Sequence, residues 1–131
     1  MIDVEKKIRQ HLIDAGVENV FTGTEKNTSP GVNQQSVFVA MYGGRPTEFT
    51  LNDGPRYHRT RVQLLVRSKP REEEPSKHLA LEVYDLLAFS SPEGLVQTKA
   101  MQTPVRLGAD NNDVFRWSIN IEVDWQDEVE E

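Results

Sequence analysis

Residues 114–125 alternate without a break, Phe115, Trp117, Ile119, Ile121, Val123 and Trp125 being separated by Arg116, Ser118, Asn120, Glu122 and Asp124. A two-residue period predicts a β-strand with one dry face and one wet face. A slip of one residue would put both tryptophans in water and Arg116, Glu122 and Asp124 in the core, so the register is strongly specified. The same period recurs over 57–68, where Val62, Leu64 and Val66 share one face and Arg59, Arg61, Gln63, Leu65 and Arg67 the other. The apolar run 37–42, ending at Gly43 and Gly44, is long enough for a buried strand and too short for a helix.

A helical period appears twice. Val4, Ile8 and Leu12 recur at helical spacing, flanked by Ile13 and Ala15, with Asp3 as the cap and Gly16 as the stop. Pro75 suits the first turn of a second helix, whose N-terminal dipole is complemented by Glu72, Glu73 and Glu74. Its expected dry stripe is Leu79, Val83, Leu86 and Leu87, with Ala80 and Tyr84 at the margin. Shorter extended pieces are predicted over 17–22, 95–99 and 103–107. An extended arm over 45–51 leads into a hairpin turn at Asn52, Asp53, Gly54 and Pro55.

The stretch 24–33 collects Thr, Asn, Ser, Pro and Gly and is expected to be a mobile loop, and 108–113 a tight polar turn. Together these elements predict an α+β domain: a mostly antiparallel sheet with two helices packed on one face. One domain over 1–125 and a flexible acidic tail over 126–131 account for the chain.

Composition narrows the function classes. At 131 residues with 37% hydrophobic side chains, the chain fits one core. A net charge of −6 argues against general nucleic-acid coating, which depends on Lys and Arg neutralising phosphates. With no cysteine there is no disulfide framework, thiolate metal site or thiol nucleophile. Charged residues interrupt the apolar positions of 1–12, unlike the core of a signal peptide, and no window approaches a membrane span.

Local motifs offer little chemistry. His11, His58 and His78 lie in three separate elements. Glu74, His78 and Glu82 share a spacing of four that could present a weak metal site, but a solvated helix face explains it, with Glu74 read as lying before the helix. Gly43, Gly44 and Arg45 lack the glycine spacing and lysine of a phosphate loop, and no serine sits in a nucleophile elbow. No catalytic residue, metal or cofactor is expected. More informative is the basic cluster Arg56, His58, Arg59, Arg61, Arg67, Lys69 and Arg71, three of whose arginines share the wet face of one strand. Arg59, Arg61 and Arg67, with Glu122, form a possible protein interface; cross-strand pairing with Glu122 and Asp124 is the alternative.

The order of elements carries a resemblance. The strand with Arg61, Gln63 and Val66, the helix with Ala80, Val83, Tyr84 and Leu87, then Pro104, Leu107 and Gly108, a polar turn and the strand with Ser118 and Asn120 resemble the tail-terminator or tail-completion proteins of tailed bacteriophages, often labelled minor capsid proteins. The resemblance covers 37–125. It implies a non-enzymatic virion protein forming a homo-oligomer, usually a hexameric ring, at the head-proximal end of the tail tube. Its expected partners are the tail tube protein and the head connector, with DNA passing through the lumen without specific binding and no membrane involved. A head-side adaptor touching DNA through the basic strand, or a small ligand-binding or enzymatic domain, are the alternatives.

Overall fold

The computed structural model describes residues 3–23, 34–44, 48–49, 56–110 and 112–126. In chain order the elements are α1 (Val4–Asp14), β1 (Val20–Thr22), β2 (Ser36–Gly44), β3 (Glu48–Phe49), β4 (Arg56–Arg67), α2 (Glu73–Leu87), β5 (Phe89–Ser90), β6 (Gln97–Ala100), β7 (Val105–Ala109) and β8 (Phe115–Gln126). The loop expected over 24–33 and the hairpin turn at 52–55 lie outside the described residues, as does the tail from 127 onward. Gln126, which composition assigns to the tail, instead completes β8 and pairs with Tyr57.

The two alternating strands are neighbours. β4 and β8 pair antiparallel from Tyr57↔Gln126 to Arg67↔Arg116, so Val62 faces Ile121, Leu64 faces Ile119 and Val66 faces Trp117. Matching periods put two apolar rows on the same side, which fixes this register. β2 lies antiparallel on the outer side of β4, with an irregularity between Met41 and Gly43, and β1 runs parallel to β2 at the edge. Gly43 and Gly44, expected to end the strand, are carried within it. β3 also pairs with β4. On its far side β8 pairs with β6 through 121–124 and with β7 through 115–118, and β5 adds to β6. The result is a mostly antiparallel sheet in the order β1-β2-β4-β8-β6-β5, which makes the fold α+β.

Both helices cover the apolar side. Asp3 accepts the Lys6 amide at 3.1 Å, closing the first turn of α1, and Gly16 leaves the helix at φ +95°. Val4, Ile8 and Leu12 are fully buried against Val37, Val39, Val62 and Leu64 in a core that also takes in Val83, Leu87, Ile119, Ile121, Val123 and Trp125.

In α2 the buried row is Ser76, Ala80, Val83 and Leu87. Leu79 and Leu86 are half-buried at its flank, so the dry stripe is turned from the expected one and Ala80 is at its centre. The reason is a close approach of helix to sheet, which a small residue permits and a row of leucines would prevent. The Trp117 indole nitrogen reaches Ser76 Oγ at 3.1 Å across this contact.

Candidate assembly interface

The opposite sheet face is built from the alternate residues of the same strands. Its rows are Arg59↔Asp124, Arg61↔Glu122, Gln63↔Asn120, Leu65↔Ser118 and Arg67↔Arg116. β6 extends two of them, Gln97 beside Asp124 and Lys99 beside Glu122. Arg59 Nε donates to Asp124 Oδ1 at 2.7 Å, and Gln97 Nε2 donates to Asp124 Oδ2 at 3.0 Å. Glu122 lies 3.7 Å from Arg59 and 3.9 Å from Arg61. Two of the three predicted arginines therefore meet acidic partners on the neighbouring strand of their own chain.

Partial burial works to raise the Asp124 pKa, but hydrogen bonds from Arg59 and Gln97 and the charges of Arg59 and Lys99 outweigh it and hold the carboxyl below its ordinary value of 3.8. A depressed folded-state pKa contributes stability that is complete above the unfolded value and is lost as the pH falls through the folded one. Asp124→Asn is expected to cost about 1 kcal/mol at pH 7, discounted for the exposure of Arg59. The gap to the unsubstituted chain should close as the pH drops below 3.8, as urea midpoints measured from pH 7 to pH 2 would reveal.

Further along, Ser118 accepts from Gln63 Nε2 at 3.0 Å and Asn120 Nδ2 at 3.2 Å, and it is buried although it belongs to the polar row. The apolar part of this face is Phe38, buried beside Leu65 and stacked on Phe21 with ring centroids 5.7 Å apart. At the end of the strands Arg116 pairs with Asp110 at 3.0 Å. The amides of Asn112 and Val114 both donate to Asp110, and these two bonds, with a lesser contribution from Arg116, lower its pKa against the opposing effect of desolvation. Arg67 is set apart, because its Nε is enclosed with no hydrogen-bond partner.

The sequence signal could not place Gln97 and Lys99 here, because their strand is short and long-range pairing brings it to β8. Asp110 comes from the polar turn just before β8. The weaker metal candidate does not assemble: Glu74, which proves to lie inside α2, is 3.8 Å from His78, and among the described residues no group of three or more His, Cys, Asp or Glu could hold a metal ion. An open hollow of about 580 Å³ between the end of α1 and the start of α2 offers Lys69, Glu72 and Glu82 around Val17 and Leu79. Its described lining holds no His, Ser or Thr.

A profile of the family described as bacteriophage tail terminator protein matches residues 13–127. The chain belongs to this family. The matched span contains every strand of the sheet and the whole polar face, and it reaches beyond the stretch 37–125 on which the element order resembles the terminators. As a member of this family, the chain is a structural, tail-related protein of a phage virion. Its fold is similar to that of a chain in the solved structure of the virion of a native gene transfer agent particle, with a TM-score of 0.68 over 95% of each chain at 12% identity. No curated protein matches the chain. Among its described helices none is long and apolar enough to cross a membrane.

Proposed function

We propose that this chain forms a homo-oligomeric ring, hexameric as the family resemblance implies, at the head-proximal end of the tail tube. The ring stops tube polymerisation and presents a surface to the head connector. It acts through shape and contact and not through catalysis. The observation that carries this reading is the family match over 13–127. The polar sheet face supports it, since Arg59, Asp124, Gln97 and Glu122 are held in place by one another, and side chains already ordered lose little entropy on docking. Arg59, Arg61, Arg67 and Glu122 are the proposed contact residues on this face. The net charge of −6 suits a wall around moving DNA, because like charge discourages phosphates from adhering.

A phage lacking this protein is expected to make tails of uncontrolled length, or tails that fail to join heads. Electron micrographs of the lysate would decide it. Normal tails on intact virions would overturn the reading, and loss of DNA packaging alone would favour a head-side adaptor.

A further inference from the structure

One margin of the polar face, along β5, β6 and β7, is apolar. Phe89 pairs with Lys99, and Lys99 with Glu122, so the three share a row on this face with Arg61. Met101, two positions after Lys99, lies one row along, its amide donating to the Asn120 carbonyl, and Val105 stands beside Ser118 in the next row. All three apolar residues are exposed, Phe89 by 78%. Exposed Tyr42, on β2, donates its hydroxyl to Met101 Sδ at 3.5 Å. A hollow of about 260 Å³ opens among Lys99, Ala100, Met101 and Glu122. Aromatic and methionine side chains are enriched at protein interfaces, and grouped around a hollow they offer apolar area and a socket for one inserted side chain.

The charge beside this patch is positive. Glu122 is shared between Arg59 at 3.7 Å and Arg61 at 3.9 Å, and among the described residues no carboxylate forms an ion pair with exposed Lys99. A complementary surface therefore carries acidic groups around an apolar side chain. The solvent side of α2 has that composition. Glu74, His78, Leu81, Glu82 and Asp85 recur at helical spacing and are all exposed, Leu81 by 45%. Three carboxylates thus flank one leucine on the side of α2 opposite its buried row of Ser76, Ala80, Val83 and Leu87. Since α2 covers the other face of the sheet, the Leu81 of a chain cannot reach that chain's own patch.

We propose that the outer row of α2 in one copy docks on the apolar margin of the polar face in the next, Leu81 entering the hollow beside Met101 and the Glu82 and Asp85 carboxylates meeting Lys99. The contact joins two different patches on opposite faces of the subunit, the heterologous arrangement that repeats head to tail and closes a ring when the rotation between copies allows it. Phe89, Met101 and Val105 supply its dry centre, and the charges at its rim set the orientation in which the copies meet. This inference rests on the ring reading above and specifies which surfaces the ring uses.

The chain has no cysteine, so introduced thiols are unambiguous reporters. A chain carrying both L81C and M101C, supplied to a phage lacking this protein, is expected to give a ladder of disulfide-linked subunits in the isolated tails, and either single variant to give none. Tails of normal length without the ladder would overturn the docking and leave the ring standing. Normal tails in the complete absence of the protein would overturn both. Should the double variant fail to complete tails, charge exchange decides. K99E is expected to raise about tenfold the amount of purified protein needed to complete tails in an extract lacking it, the size of one charge-assisted contact, and K99E combined with E82K and D85K to restore the original requirement. No restoration, with every variant folded by circular dichroism, would refute the contact.

Discussion

Trp117→Ala is expected to lower the free energy of unfolding by roughly 3–5 kcal/mol, a large part of the total for a domain of this size. Trp117 is 7% exposed and ties three elements together. Its ring lies on the helix side of β8, its indole nitrogen donates to Ser76 Oγ in α2, and the Arg106 guanidinium of β7 sits 5.0 Å from its ring centroid. Truncation leaves a cavity between close-packed layers and also frees Arg106, which retains Glu73 at 3.0 Å. Ser118→Ala is the comparison, one residue along and pointing to the other face. Ser118 is 4% exposed, so its loss is not free, but its donors Gln63 and Asn120 can turn to water and the cost should stay near 1 kcal/mol. Urea denaturation of both variants tests the assignment, and equal midpoints would show that the faces are misassigned.

Ala80→Glu is expected to prevent stable folding, while Leu81→Glu, one position on, should shift stability by no more than about 0.5 kcal/mol. Ala80 is fully buried at the centre of the α2 contact, and Leu81 is 45% exposed. A glutamate at position 80 would overpack the gap between helix and sheet and bury a charge with no partner, each a cost of several kcal/mol or its equivalent in lost packing. Soluble expression and thermal melting of the two variants are the measurement. A stable Ala80→Glu protein would mean that α2 presents Leu79 and Leu86 to the sheet, as the apolar spacing alone suggests.

That helix illustrates where sequence reasoning stops. Spacing by three and four identifies a helix but leaves its rotation open by some tens of degrees when apolar residues occupy adjacent rows. Leu79, Ala80, Val83, Leu86 and Leu87 are such a case, and hydrophobicity ranks leucine above alanine at the centre. Packing distance decides the other way, through the Trp117 to Ser76 contact that no local pattern contains. The α1 pattern was unambiguous by contrast, because Val4, Ile8 and Leu12 form one narrow row with a cap before it and a glycine after it.

The polar face divides similarly. Alternation placed Arg59, Arg61 and Arg67 in one row and Glu122 and Asp124 in another, and the possibility of pairing between the rows was legible. Which arginine meets which carboxylate was not, since a shift of two residues preserves every face and changes every partner. The extended piece over 95–99 was legible, but the place of β6 beside β8 was not. Its four residues are too few to specify a partner, yet its Gln97 supplies the second hydrogen bond to Asp124.

The sequence by itself determined the two long strands, their dry faces, both helices, the α+β class and the likeness to tail terminators, because each is written in a local period or in the order of elements. Only the tertiary structure decided the strand order, the rotation of α2, the partners of Arg59 and Arg61, and the isolation of Arg67. Those depend on which residues distant in the chain are brought within a few ångströms, and the energy that selects them is summed over the whole core and sheet rather than over any one segment.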